Sequence, residues 1–139
     1  MTINGTGFST ATQVKFGNSL PASFDKVSAT QLRAVVPADA VTGSISVTAG
    51  ATAVSAAIFT VPPRVDTFTP LQGLAGTQVT LNGANFVAGQ TTVRFGGVAA
   101  LTVTVTAANQ LVAHVPAGAV TGPVAVSTSL GTNTTTTNF

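Results

Sequence analysis

Acid–base, nucleophilic and metal chemistry draw most often on histidine and carboxylates, and this sequence holds four such side chains: His114, Asp25, Asp39 and Asp66. A Ser-His-Asp arrangement needs a histidine that faces a nucleophile and is oriented by a buried acid. Around His114 the apolar residues Leu111, Ala113 and Val115 alternate onto one face of a strand, which turns the imidazole to the opposite, solvent face. Calcium asks for six to eight oxygens, usually from closely spaced acids, and the three aspartates are far apart in sequence. Asp39 sits in a loop of small residues, where it reads as a turn former. Asp25 falls in a loosely patterned strand and Asp66 beside the pair Pro62-Pro63. No glycine-rich phosphate loop opens a helix, because no helical periodicity is visible. The expectation is no catalytic residue, no metal ligand and no cofactor.

Two further patterns are weaker. Asn4-Gly-Thr6 and Asn133-Thr-Thr135 match a glycosylation acceptor, but so threonine-rich a chain matches by chance. Sugar-stacking platforms usually come from exposed Trp or Tyr, and the sequence has neither. A carbohydrate partner therefore gains no support from the residues.

The elements that carry these side chains occur twice. Leu32-Arg-Ala-Val-Val-Pro-Ala-Asp-Ala-Val-Thr-Gly43 returns as Leu111-Val-Ala-His-Val-Pro-Ala-Gly-Ala-Val-Thr-Gly122, at a shift of 79 (111 − 32). Each copy reads strand, loop, strand: an alternating run stops at proline, which cannot donate to a ladder, and a second run follows Thr-Gly. His114 answers to Val35 in the first copy. Thr2-Ile-Asn-Gly-Thr-Gly-Phe8 pairs with Thr80-Leu-Asn-Gly-Ala-Asn-Phe86, with Ile3 and Leu81 inward and Asn-Gly bending the chain away. Gly7 against Asn85 predicts a left-handed backbone at that place. Val14-Lys-Phe-Gly17 matches Val93-Arg-Phe-Gly96, and tight turns are expected at Gly17-Asn18 and Gly96-Gly97. Single strands are then expected over 22–28 and 101–106, and final strands over 52–61 and 132–139. With abundant Thr and Val, the class is all-β: two tandem β-sandwiches, 1–61 and 62–139. The prolines at 62 and 63 are expected to stiffen the joint.

The copies differ at their starts. Val65-Asp-Thr-Phe-Thr-Pro70 reads as an opening strand in the second copy and has no counterpart in the first. Two inward side chains equivalent to Val65 and Phe68 are worth about 3–6 kcal/mol, against a total stability of about 5–15 kcal/mol. The first copy is thus expected either to belong to a longer array or to take a strand from another molecule.

Gly76-Thr-Gln-Val-Thr-Leu-Asn-Gly-Ala-Asn-Phe86, Val93-Arg-Phe-Gly-Gly97 and Val115-Pro-Ala-Gly-Ala-Val-Thr-Gly122 together resemble the IPT/TIG domain. That module is shared by plexins, Rel-type transcription factors and many bacterial surface proteins. The resemblance covers 64–139 and, without the opening strand, 1–61. It implies an immunoglobulin-like (E-set) fold and a spacer, dimerisation or adhesion role, with no shared catalytic residue to carry over.

Charge narrows the partners. The calculated isoelectric point near 10.0 suggests nucleic acid, yet the net charge is only +2, and Lys15, Lys26, Arg33, Arg64 and Arg94 are scattered. Phosphate binding needs clustered cations, so no nucleic-acid partner is expected. No apolar run approaches the length that spans a bilayer, and no signal peptide is visible. Lack of cysteine excludes disulfides. The expected function is a non-enzymatic spacer or adhesion module of an extracellular, bacterial cell-surface protein, meeting protein partners or copies of itself along strand edges. The alternative is a self-assembling subunit of a filament, sheath or virion surface, joined by strand exchange.

Overall fold

The computed structural model describes residues 1–17 and 20–139. The chain forms two compact units, Met1–Val61 and Pro62–Phe139. In the first, the strands are β1 (Thr2–Asn4), β2 (Gln13–Phe16), β3 (Leu20–Ala22), β4 (Phe24–Ser28), β5 (Gln31–Ala34), β6 (Gly43–Ala49) and β7 (Ala51–Phe59), with one 3-10 turn at Phe8–Thr10. They build two antiparallel sheets, ordered β1-β5-β4 and β3-β2-β6-β7. In the second unit they are β8 (Arg64–Thr69), β9 (Gln78–Ala84), β10 (Thr92–Phe95), β11 (Val98–Ala99), β12 (Val103–Ala107), β13 (Gln110–His114), β14 (Pro123–Thr128) and β15 (Gly131–Asn138). Their sheets run β12-β13-β9-β8 and β11-β10-β14-β15. No α-helix occurs among the described residues.

Period-two alternation explains both cores. In β10 and β14, Val93, Phe95, Val124 and Val126 turn inward and are buried. From the facing sheet come Val79, Leu81, Leu111 and Ala113. The first unit repeats this with Val14, Phe16, Ile45 and Val47 against Leu32 and Ala34. Four sheet strands and their partners in the second unit follow the arrangement of an immunoglobulin-like sandwich.

Gly7 and Asn85 take positive φ, 73° and 63°, as the pairing of those residue types predicts. Gly96 and Gly97 close the β10–β11 hairpin at φ 52° and 87°, values suited to a primed two-residue turn. The turn expected at Gly17-Asn18 falls partly outside the described residues. A Cβ on Gly96 would collide with the Val120 carbonyl oxygen, so that position is reserved for glycine twice over, by conformation and by space.

Three expectations need correction. The stretch 22–28 is two strands: β3 pairs with β2, and after Ser23 the chain crosses to the other sheet, where β4 pairs with β5. In the second copy the strand expected over 101–106 is β12 alone, and the short β11 that pairs with β10 lies ahead of it. Segments of two or three residues are too short for alternation to reveal the switch. The final strand of the first copy stops at Phe59, and Val61 instead exchanges bonds with the Thr42 hydroxyl (N–H to Oγ1, 2.9 Å). Finally, Asn82-Gly83 does not bend the chain. β9 runs through to Ala84 because β8 pairs along it, Arg64 opposite Ala84 and Val65 opposite Gly83. Its counterpart β1 ends at Asn4, paired with β5 on one side and with no described strand on the other.

Candidate functional site

His114 and Asp66 take up local structural bonds, while Asp39 sits at a turn and Asp25 on an exposed strand. Along β13, Leu111 and Ala113 are buried while His114 is half-buried on the other face. There its Nδ1 lies 2.7 Å from the Thr102 hydroxyl, just ahead of β12. Asp66 holds Arg64, two residues away on β8, through Oδ1 to Nε at 2.7 Å and Oδ2 to Nη2 at 3.2 Å. Asp39 occupies the turn closed by the Ala40 N–H on the Pro37 carbonyl. Asp25 is an exposed residue of β4 opposite Arg33. Asn133 of the second glycosylation-like tripeptide accepts the Val65 N–H at 3.0 Å through Oδ1, and Asn4 accepts from the Gln31 amide. Among the described residues no group of three His or carboxylate side chains converges as a metal would require. No helix is long and apolar enough to cross a membrane.

The feature that distinguishes the two units is a groove. In the second unit β8 caps the sheet edge formed by β9 and lies against β15. A bulge between Val65 and Thr67 places Val65 and Phe68 on the same, inward face although they are three residues apart. The Phe68 ring is buried 6.3 Å from that of Phe139, which in turn packs 5.0 Å from Phe95. In the first unit no described strand occupies this place. β1 stands at the sheet edge, and between it and β7 lies a groove of about 490 Å³.

The packing beneath the groove is correspondingly open. Ile45 and Val47 remain 7 % exposed, where Val124 and Val126 are at 0 %. Ile3 and Phe59 are half-buried, whereas Leu81 and Phe139 are buried. Phe59 still meets Phe16 edge-on at 5.1 Å, so the ring pair survives without its cover.

The β7 wall also differs in chemistry. The two final strands correspond at a shift of 80 (139 − 59), fixed by a shared device. The Ser55 hydroxyl accepts the Ile45 N–H at 2.9 Å and donates to the Ala57 carbonyl at 2.7 Å. Thr135 does the same with Val124 and Thr137, at 2.9 and 2.7 Å. On this register Ala53, Val54 and Ile58 stand where the second unit has Asn133, Thr134 and Asn138. Val54 and Ile58 are 64 % and 56 % exposed. Sequence reading located the absent strand but missed this apolar wall. The signal was present in the Ala- and Ile-bearing run set against a Thr-bearing one.

Two antiparallel sandwiches of this topology, without convergent polar chemistry among the described residues, define a tandem of immunoglobulin-like modules. The IPT/TIG domain model matches twice, over residues 1–60 and 63–139, and the chain belongs to that family. Among curated proteins none matches. Solved structures share the fold. A structure described as a putative phosphatase from Bacteroides thetaiotaomicron is 28 % identical over 57 % of this chain and 18 % of its own, with a TM-score of 0.52. SGBP-B from a xyloglucan utilization locus of Bacteroides uniformis is 22 % identical, covering 99 % of this chain and 44 % of its own, at 0.52. The plexin A4 extracellular region is 18 % identical over 99 % of this chain and 16 % of its own, also at 0.52. The chain thus spans less than half the length of each of these proteins.

Proposed function

We propose that this chain is a non-catalytic pair of IPT/TIG modules of an extracellular or cell-surface protein, serving as a spacer and as a protein-interaction unit. The observation that carries the reading is how the polar side chains are used. His114, Asp66, Asn133, Ser55 and Thr135 each bond to a neighbour within their own sandwich. None is arranged as nucleophile, base and orienting acid, the geometry that acyl transfer requires. Surface placement is supported by the company the module keeps, in plexin A4's extracellular region and in a glycan-binding protein named for xyloglucan utilization. The phosphatase description belongs to a protein of which this chain spans under a fifth, and it lends no active-site residue here.

Labelling intact cells with a membrane-impermeant amine reagent tests the placement. Modification of Lys15 and Lys26 without lysis is the expected result, and labelling only after lysis would defeat the surface reading. Self-assembly by strand exchange is the competing reading, favoured by the unpaired edge of β1. Polymers of the purified chain under the electron microscope would decide for it.

A further inference from the structure

β12 is the end strand of its sheet, as β4 is in the first unit, and an end strand offers backbone groups to another chain. We propose that β12 pairs antiparallel with β12 of a second copy of this chain, Thr104 opposite its own copy, so that two second-unit sheets join edge to edge. This names a partner for the interaction unit proposed above and rests on that reading. Its test is association in solution, so it fails separately from the cell labelling that tests surface placement.

The residues of the strand supply the first argument. Thr102-Val-Thr-Val-Thr106 reads the same in both directions. Two antiparallel copies centred on Thr104 therefore set Val103 against Val105 on either side of it, with Thr104 against Thr104. Such a contact is its own complement under a two-fold axis, the symmetry of most protein dimers. Threonine pairs across strands are favourable. Val103 and Val105 are half-buried against the core, and the same residues of the second copy cover their open side.

Backbone geometry supplies the second. The His114 N–H donates to the Thr102 carbonyl at 3.1 Å, and Thr104 lies opposite Val112. Alternation of an antiparallel ladder makes Thr104 and Val112 the next pair to exchange bonds, and turns the N–H and C=O of Val103 and Val105 away from β13. Those are the residues that the two-fold pairing sets opposite each other. The register irregularity of β12 falls between Val105 and Ala107, beyond them.

The first unit is the internal contrast. At the shift of 79, β4 has Phe24, Asp25 and Lys26 where β12 has Val103, Thr104 and Val105. The same pairing there sets Asp25 against its own copy, and like charges directly opposite are destabilising. Lys26 also turns its Nζ to the Ser9 carbonyl, at 3.2 Å. β12 carries no Lys, Arg, Asp or Glu, so its edge brings no ionic repulsion. So short a strand buries less area than a stable interface needs, which makes this a weak contact, formed at about millimolar concentration.

The test follows the full chain by sedimentation equilibrium up to about 2 mM, with amide exchange measured by NMR over the same range. A monomer–dimer equilibrium is expected, in which exchange slows at Val103 and Val105 as concentration rises and does not change at Phe24 and Lys26. Thr104→Asp, at an exposed position, is expected to weaken dimerisation at least about tenfold with little change in melting temperature. Thr104→Lys is expected to do the same, and an equimolar mixture of the two variants to associate again, because opposite charges then meet across the axis. Should either variant fold poorly, amide exchange in the unsubstituted chain carries the test. A chain that stays monomeric at about 2 mM, or dimers indifferent to both substitutions, overturns the proposal. So does a mixture that associates no better than either variant alone, or protection that falls on another edge such as β1.

Discussion

At the scale of single residues, side-chain type matters here through backbone conformation and local bonding more than through reactivity. Asn85 holds a left-handed backbone at φ 63° and donates its amide to the Pro62 carbonyl at 3.1 Å. Asn85→Gly keeps the conformation and loses the bond. Asn85→Val forces a β-branched residue into it, and is expected to cost about 1–2 kcal/mol more in urea denaturation. His114 is the opposite case. Its first-copy counterpart is Val35, 65 % exposed, so the position does not demand an imidazole. His114→Val is expected to change stability by no more than about 0.5 kcal/mol; a larger loss by chemical denaturation would show that the Thr102 contact does more than orient a loop.

The strands show how one sequence plan yields two different edges. Gly83 lies under β8, and a Cβ there would run into the Arg64 carbonyl oxygen and come within 2.9 Å of the Phe86 ring. In the first unit the three atoms nearest to a Cβ on Gly5 would all belong to the Phe8 ring, Cζ at 2.5 Å, with no described strand overlying it. Gly83→Ala is therefore expected to destabilise its unit by about 1–3 kcal/mol, as overpacking does, and Gly5→Ala by less, since a ring shifts more readily than a paired backbone. The hydroxyl device of the final strands makes a matched pair of tests. Ser55→Ala and Thr135→Ala each leave a strand N–H without its acceptor, at a cost of about 1–3 kcal/mol. Thermal denaturation of both variants should show that loss in the unit that carries the change.

For the whole molecule, the consequence is unequal stability of the two units. Phe68 is buried against Phe139 in the second, and Phe68→Ala there is expected to cost about 3–5 kcal/mol. The first unit has no described residue in that role, and small domains have little surplus to lose. Calorimetry of the full chain is expected to resolve two transitions, the lower belonging to residues 1–61. Phe68→Ala should move only the upper one. A single cooperative transition, shifted as a whole by Phe68→Ala, would show that the two units unfold as one.

What the amino-acid sequence determined by itself was the repeat, the inward alternation of Val, Leu and Phe, and the glycine or asparagine at the left-handed turn. Each of these is a local pattern, dictated by side-chain period or backbone strain within a few residues. The switch of strands at Ser23, the bulge that brings Val65 and Phe68 to one face, and the continuation of β9 through Asn82-Gly83 depend on which strand lies alongside. The groove itself is of the same kind. Val54 and Ile58 read as ordinary strand residues until β1, β6 and β7 are set around them. A vacancy is defined by the spatial neighbours on its two sides, and those neighbours are separated along the chain by some fifty residues. Only the tertiary structure brings them together.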